Sequence, residues 1–156
     1  MAGICCQDVM QIDATPAQVR AFIADPERIA DYYPGVTEYG TFEPGGVVWC
    51  ASPAGVGALE IVEAESTDTF VKMHVVTSVA PPEPYTLEGL KASPFLTMTE
   101  EWQLEAHGGG TRLTKTWRDV VCASPDVPME DMIREAMPHE RAVIEEAWSR
   151  AARGPA

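Results

Sequence analysis

The stretch of sequence that decides the fold reads SPFLTMTEEWQLEAHGGGTRLTKTWRD, residues 93–119. Apolar and polar residues alternate on both sides of a glycine triplet, a pattern that is typical of two antiparallel strands joined by a tight turn. The expected strands cover residues 95–106 and 111–121. A proline-bounded segment and a long helical pattern follow at once, so this hairpin is predicted to stand next to a terminal helix.

The alternation also predicts which side chains share a face of the hairpin. One strand would place five residues on the same side (Leu96, Met98, Glu100, Trp102 and Leu104), and its partner would place three there (Leu113, Lys115 and Trp117). The two apolar faces coincide only if paired residue numbers sum to an odd number, as for Leu104 opposite Leu113. A turn of two or four residues gives that sum. Glu100 then lies opposite Trp117 and diagonal to Lys115.

Glu100 and Lys115 would therefore stand on an apolar face, where charged groups are costly unless they are paired or functional. Burial raises the pKa of a glutamate and a neighbouring lysine lowers it, so the two residues form a candidate acid/base pair. The other interpretation is a strand edge at which both side chains reach water.

The rest of the chain divides into similar short elements. Alternation and turn residues predict strands over residues 4–12, 36–43, 46–51, 57–65, 69–79 and 84–91, with a loop as the alternative for 84–91. Two short helices should follow the first strand, and Thr15 with Gln18 predicts a capping box at the start of the first one. Helical spacing over residues 129–152 predicts a long final helix, which Pro138 should kink or divide in two.

Composition narrows the classes of function. The chain has 156 residues, enough for one domain, and its 46% hydrophobic and 22% charged content is that of an ordinary globular protein. The net charge of −13 argues against nucleic acid and against anionic membrane surfaces, and no apolar run is long enough to span a membrane. The opening residues lack the features of a secretory signal, so a cytoplasmic location is expected.

Neither a metal site nor a cofactor is predicted. His74, His107 and His139 are far apart in the sequence and none has a paired ligand one turn away. The four cysteines contain no C-x-x-C pair and are expected to be reduced thiols. No phosphate-binding loop, dinucleotide fingerprint or nucleophile elbow occurs, so the chain implies no cofactor.

Several short motifs accompany this order of elements: IDATPAQV at residues 12–19, DPER at 25–28, PGV at 34–36, and the Pro-Phe, single Trp and Gly-Thr of the hairpin. Together they resemble the single-domain aromatase/cyclases of aromatic polyketide synthesis, within the START-like (SRPBCC) superfamily. The resemblance spans nearly the whole chain and implies one domain over residues 1–156. It implies an α+β helix-grip fold, in which a curved antiparallel sheet of about six or seven strands wraps around a long C-terminal helix and encloses a cavity. The pocket is expected to open near residues 80–94.

The resemblance also carries over candidate site residues. Tyr39, in the motif TEY at residues 37–39, matches a tyrosine that faces the cavity of those cyclases and is implicated in catalysis. Trp102 matches a tryptophan that lines the cavity. Tyr32 matches an aromatic position in the second short helix, and Trp49 is a less supported candidate for the lining role. The residues themselves leave a plainer interpretation open for each, as core or half-buried aromatic side chains.

The chain departs from the cyclase pattern in one strand. Those cyclases carry an arginine near the end of the strand before the turn APP, whereas this chain has Thr77 there and no arginine or lysine between Met73 and Leu90. Their Trp-x-Trp in that strand is also absent. Arg141, on the apolar stripe of the final helix, is a candidate substitute for the arginine. The alternative is a helix-surface arginine whose head group reaches water.

The first functional hypothesis is a cofactor-independent cyclase that acts on a polyketide or similar polycarbonyl substrate. Tyr39 would donate to the developing oxyanion, and Glu100 would be the base, with Lys115 as its partner in the acid/base pair. The other candidates would line the substrate site (Tyr32, Trp49, Met73, Thr77, Met98, Trp102 and Arg141). A second hypothesis is a START-like carrier that binds a hydrophobic small molecule or lipid without turnover, which the missing arginine favours. A dehydratase or isomerase in the same fold is a third.

Two routes of substrate delivery stay open. An acyl carrier protein is acidic, and two acidic partners repel, so docking would need a local basic patch to which Lys91, Arg150 and Arg153 contribute. In the other route the substrate is already free.

Overall fold

The computed structural model describes residues 3–43 and 45–154, which form a curved, seven-stranded antiparallel sheet packed against helices. The strands are β1 (Ile4–Ile12), β2 (Glu38–Phe42), β3 (Val47–Ser52), β4 (Gly55–Ile61), β5 (Phe70–Ser78), β6 (Leu96–His107) and β7 (Gly110–Cys122). Their order across the sheet is β1-β7-β6-β5-β4-β3-β2. The first strand of the chain therefore pairs with the last, and β2 lies at the opposite edge.

Three α-helices complete the fold: α1 (Pro16–Ala24), α2 (Leu87–Ala92) and α3 (Met129–Arg153). The capping box at the start of α1 is confirmed, because the Gln18 N–H donates to the Thr15 hydroxyl and the Thr15 N–H donates to the Gln18 side chain. The second short helix is a 3₁₀ helix, Pro26–Asp31, whose first turn the Asp25 carboxylate caps.

The β6–β7 hairpin has the predicted register. His107 pairs with Gly110, which leaves a two-residue turn of Gly108 and Gly109 with φ angles of 58° and 84°. These angles lie in the left-handed region that glycine adopts at little cost, so the glycine triplet is what permits this turn. Leu104 faces Leu113 and Glu100 faces Trp117, so the odd-sum pairing is confirmed.

Two predicted strands have different structures. Residues 84–91, predicted as a strand, instead contain α2, because the Thr86 hydroxyl accepts from the Gly89 N–H and caps a helix that buries Leu90 completely. The strand predicted over residues 57–65 ends at Ile61, and Glu63–Glu65 forms a second 3₁₀ helix. A short apolar run fits both the alternation of a strand and the 3.6-residue period of a helix. At α2, the capping residue Thr86 favours the helix.

Each face of the sheet has its own apolar core. On the concave face, strand residues pack against α1 and α3, and the members include Met10, Val19, Ile23, Trp102, Ile144 and Trp148. On the convex face, a smaller cluster consists of Val56, Ala58, Val76 and Leu90. The two clusters share β4 and β5, whose successive side chains point to opposite faces, so these strands are buried on both sides.

The final helix is anchored by its C-terminal half. Ile144 and Trp148 are fully buried, and the Trp148 Nε1–H donates to Asp31 Oδ2 at 2.8 Å. The helix runs through Pro138 without dividing, and none of its residues before Ile144 is fully buried. In the described ranges, no helix combines the length and apolarity needed to cross a membrane.

Candidate functional site

A cluster of buried charges lies on the concave face beneath α3. The Lys115 side chain is completely buried, and its Nζ lies 2.9 Å from Glu140 Oε1 and 3.5 Å from Glu100 Oε2. Glu100 comes from β6, Lys115 from β7 and Glu140 from α3, so three elements build the cluster. The predicted proximity of Glu100 and Lys115 on the concave face is present as a direct ion pair.

Aromatic rings enclose the ammonium group. Lys115 Nζ lies 4.1 Å from the centroid of the Trp102 ring, 4.5 Å from that of Trp117 and 5.3 Å from that of Tyr32. The negative faces of aromatic rings attract a cation, and more strongly where water is excluded. The two carboxylates and the three rings therefore replace the hydration shell that Lys115 loses on folding.

The two glutamates each keep one oxygen without a partner. Glu100 Oε1 and Glu140 Oε2 are buried and accept no hydrogen bond from any described residue. Burial raises the pKa of Glu140 from 4.5 to about 6; the Lys115 ammonium opposes this rise and the Glu100 carboxylate adds to it. Glu140 is thus a carboxyl group whose pKa of about 6 suits proton transfer. The partnerless oxygens of Glu100 and Glu140 can each accept a further hydrogen bond.

Arg141 does not lie near Thr77, as it would if it replaced the arginine of the cyclases. Its guanidinium Nη1 lies 2.6 Å from Oδ1 of Asp8, a β1 residue that pairs with Lys115 across the sheet. Asp8 and Arg141 therefore extend the charge cluster toward β1. Thr77 lies on β5, and the structure does not bring Arg141 next to it.

A second polar group on the concave face centres on Tyr33. The Tyr33 hydroxyl lies 2.9 Å from Thr77 Oγ1, and a Cβ on Gly57 would come within 2.7 Å of the same hydroxyl. Gly57 thus leaves room for this phenol over the sheet. Burial raises the pKa of Tyr33 to about 12, so the phenol stays protonated and is available as a hydrogen-bond donor.

The two tyrosines predicted for the site have unlike positions. Tyr39 pairs with Cys50, which places it on the concave face of the edge strand β2, with 46% of its surface exposed. Tyr32 is buried among Trp102 and Trp148, and its hydroxyl donates to the Ile23 carbonyl oxygen at 3.2 Å. Tyr39 is accessible at the rim, whereas Tyr32 shapes the wall behind Lys115.

The structure brings some of the predicted lining residues together and separates one. Met73 is buried opposite Glu100, and Met98 is half-buried two residues before Glu100 in β6. Trp49 lies on the other face of the sheet, because it alternates with Val48 and Cys50, and it packs against Phe42 and Tyr85. Trp49 therefore does not line the same site as Trp102.

Sequence reasoning missed Glu140 and Tyr33. Glu140 lies between the apolar positions Met137 and Ile144, three and four residues away, which places a carboxylate on the inner stripe of α3. That spacing indicated that Glu140 faces the core, although an acidic residue on a helix is usually at the surface. Tyr33 follows another tyrosine at the end of a 3₁₀ helix, where periodicity does not indicate direction.

Two open spaces border residues 83–94. A groove of about 840 Å³ lies between the β2–β3 hairpin and residues 83–88, and a cavity of about 430 Å³ lies between α2 and strands β4–β7. An opening near residues 80–94 was expected, but the walls of both spaces come from the convex face. Because residues 87–92 fold as a helix against the convex core, they do not form a rim of the concave face.

A family model described as "Polyketide cyclase / dehydrase and lipid transport" matches residues 4–153. A search of curated protein sequences finds no match.

Solved structures share the fold at low sequence identity. A START superfamily protein from Mycobacterium smegmatis has a TM-score of 0.64 at 11% identity, covering 96% of this chain and 99% of that one. The Zhui aromatase/cyclase from Streptomyces sp. R1128 has a TM-score of 0.60 at 15% identity, covering 98% and 94%. A putative uncharacterized protein from Rhizobium leguminosarum has a TM-score of 0.64 at 14% identity, covering 97% of each chain. At such identities these similarities establish the fold alone.

Proposed function

We propose that this chain, which belongs to the polyketide cyclase / dehydrase and lipid transport family, binds a polycarbonyl substrate on its concave face and promotes intramolecular aldol cyclisation and dehydration. The observation that carries the proposal is the pair of buried carboxylates, Glu100 and Glu140, which share Lys115 and each keep one oxygen without a partner. A carboxyl group such as Glu140, held in an apolar site with a raised pKa, is typical of a proton-transfer site.

In this proposal Glu140 is the general base and acid. It is the more exposed of the two carboxylates, with 12% of its side-chain surface accessible against 5% for Glu100. Ionised Glu140 would take a proton from the enolisable carbon of a β-ketone, the enolate would attack the ketone carbon, and protonated Glu140 would return the proton to the resulting alkoxide. A second proton taken from the same carbon would then be passed to the hydroxyl, which leaves as water as the C=C bond forms. Glu100, first proposed as the base, would instead hold Lys115 and raise the pKa of Glu140.

Lys115 would act electrostatically and not touch the substrate. Its Nζ is enclosed by two carboxylates and three rings, and its side chain has no exposed surface. A fixed ammonium group stabilises negative charge on nearby groups without reorganising during the reaction. Its role in the proposal is therefore to let Glu140 ionise inside an apolar site.

The developing oxyanion would be bound by a phenol, and Tyr33 and Tyr39 are the two candidates. Tyr33 is pre-oriented by Thr77, and Tyr39 stands at the accessible edge of the concave face. Removing either hydroxyl, as in Tyr33→Phe or Tyr39→Phe, keeps the ring. The variant that lacks the true donor should lose roughly 10²-fold in kcat with KM little changed.

The proposal is tested by Glu140→Gln in a cyclisation assay on a poly-β-ketone surrogate. The amide keeps the shape but cannot exchange a proton, so turnover should fall by roughly 10²-fold or more while the substrate still binds. Glu135→Gln, an exposed position on the same helix, is the matched control and should leave turnover unchanged. Full activity in Glu140→Gln would rule out Glu140 as the base.

The second candidate function is a non-catalytic carrier for a hydrophobic molecule or lipid. The enclosure of Lys115 favours it, because three aromatic rings and two carboxylates also make a stable structural cluster without any substrate. The carrier is favoured if the unmutated chain binds polyketide surrogates or fatty acids tightly and converts none of them. It is excluded if the surrogate is turned over and Glu140→Gln stops the turnover.

For delivery we propose a free substrate in the cytoplasm. Lys91 pairs with Glu60 and Arg150 pairs with Glu146, so two of the three residues considered for a basic docking patch are neutralised by their neighbours. An acidic acyl carrier protein would then be repelled by a chain of net charge −13. The surrogate should accordingly be turned over at least as well free as when it is tethered to a carrier protein.

A further inference from the structure

The cavity of about 430 Å³ on the convex face has no part in the proposed reaction. Its floor includes two rows of paired strand residues: Ala58, Val76, Thr97 and Val121 across β4–β7, and Glu60, His74 and Thr99 across β4–β6. Leu87 and Lys91 of α2, with Pro94, line the opposite side. Its volume falls within the range of about 300–1,000 Å³ that is usual for small-molecule sites.

Asp119 enters this cavity from an irregularity in β7. Thr97 pairs with Val121 and Thr99 with Arg118, so two residues of β7, Asp119 and Val120, stand opposite one residue of β6. This is a β-bulge, and Asp119 has a φ angle of 57°, the left-handed conformation that few residues other than glycine, asparagine and aspartate adopt. Bulges re-aim side chains and are frequent beside functional sites.

The Asp119 carboxylate lacks a partner. Its Oδ1 is buried and accepts no hydrogen bond from the residues that the structure describes, although such an atom is costly to desolvate. The charged neighbours are already engaged: Lys91 with Glu60 at 3.3 Å, and Arg118 with Glu101 at 2.8 Å. His74 Nδ1 is 3.3 Å from Thr99 Oγ1. The negative charge at Asp119 is therefore uncompensated within residues 3–43 and 45–154.

We propose that this cavity is a second binding site, for a small, largely apolar molecule that carries an ammonium group. The ammonium would donate to the Asp119 carboxylate, which has no cationic partner among the described residues. Apolar walls from Ala58, Val76, Leu87 and Val121 would cover the rest of the molecule. The site is separated from the Glu100–Lys115–Glu140 cluster by the thickness of the sheet, and it does not depend on the reaction proposed above.

The test is an NMR titration of the ¹⁵N-labelled full chain with 2-phenylethylamine, and with 2-phenylethanol as a neutral probe of the same size. The amine should shift the amide signals of residues such as His74, Thr99 and Asp119 saturably, and bind roughly tenfold more tightly than the alcohol, because only the amine pairs with the carboxylate. Signals of the concave residues Tyr33 and Glu140 should not move.

The decisive variant is Asp119→Gly, which removes the carboxylate and suits a positive φ angle. It should weaken amine binding roughly tenfold or more and leave alcohol binding unchanged. Asp119→Asn also tolerates this backbone conformation and should weaken amine binding similarly, which guards against a folding defect in the glycine variant. Asp126→Asn, at an exposed loop position, should bind the amine as the unmutated chain does.

Several results would overturn the inference. No saturable shift with the amine, shifts centred on the concave face, or unchanged amine binding in Asp119→Gly would each reject the site. Equal binding of alcohol and amine would reject the ligand class. Because the readout is binding on the convex face, none of these outcomes depends on whether the cyclisation assay with Glu140→Gln succeeds.

Discussion

Charged residues that are neighbours in the sequence have opposite environments on the two faces of the sheet. Glu100 and Glu101 are adjacent in β6, yet Glu100 points into the concave core and pairs with the fully buried Lys115, whereas Glu101 points outward and pairs with the part-exposed Arg118. The residue type is the same, and strand alternation alone assigns each to its face. The comparison shows that the environment of a charge, and not its identity, decides whether it contributes to stability, to chemistry or to neither.

The two environments also differ in what a single substitution should do. Lys91 and Glu60 on the convex side keep much of their hydration, and exposed ion pairs of this kind contribute at most about 1 kcal/mol. Lys115 keeps no hydration, because its side chain is fully buried. Removing one partner of a buried ion pair leaves the charge of the other partner without compensation. Three predictions test this contrast, from the largest expected effect to the smallest.

Lys115→Met should be the most damaging change. It leaves Glu100 and Glu140 facing each other without a cation, and the expected loss of unfolding free energy is about 3–5 kcal/mol. Urea denaturation at pH 7 measures it. The matched control, Lys91→Met, removes an exposed ammonium of the same type and should cost less than about 1 kcal/mol. Equal losses in the two variants would show that the faces do not differ.

The pH dependence of stability should come from the concave face. The pKa of Glu140 is raised from 4.5 to about 6, so the folded state binds this proton more tightly than the unfolded state. The shift contributes about 2 kcal/mol that is fully present below pH 4.5 and is lost as the pH rises through 6.

This contribution is isolated by comparison with Glu140→Gln, which resembles the protonated carboxyl at every pH. Between pH 4.5 and 6.5 the unmutated chain should lose about 1.5 kcal/mol more unfolding free energy than Glu140→Gln does. Glu60→Gln is the control: it also removes one carboxylate, but on the convex side, and its stability should follow the pH as that of the unmutated chain does. Parallel stability curves for the unmutated chain and Glu140→Gln would contradict a raised pKa at Glu140.

The smallest expected effect concerns two glycines on opposite faces. An alanine Cβ at Gly57 would meet the Tyr33 hydroxyl at 2.7 Å on the concave face, and one at Gly40 would meet the Trp49 ring at 3.0 Å on the convex face. Tyr33 is held by Thr77 and has little room to move, so Gly57→Ala should destabilise by about 1–2 kcal/mol.

Gly40→Ala should be nearly neutral, because the half-buried Trp49 ring can shift and alanine restricts the unfolded chain by about 0.4–1 kcal/mol. Thermal unfolding of both variants compares them. A double-mutant cycle of Gly57→Ala with Tyr33→Phe identifies the cause, since loss of the hydroxyl should recover part of the stability. If Gly40→Ala proves the more harmful, the concave face is the less tightly packed of the two.

The pairing of Glu100 with Lys115 followed from the sequence by itself. The glycine triplet sets the turn, the turn sets the register, and the register places both side chains on the apolar face of neighbouring strands. The START-like order of elements and the capping box of α1 were equally readable, because each depends on residues that are close in sequence or on a long periodic pattern. Such local rules reach as far as one hairpin or one helix.

Only the tertiary structure decided which elements complete each site. Glu140 reaches Lys115 because of how α3 crosses the sheet, and Tyr33 reaches Thr77 because of where a 3₁₀ helix ends over Gly57. Asp119 faces the convex cavity through a one-residue bulge, and a helix, not the predicted strand, covers that cavity. A crossing position and a bulge depend on how side chains from distant segments fill the same space. Periodicity along one segment therefore does not contain that information.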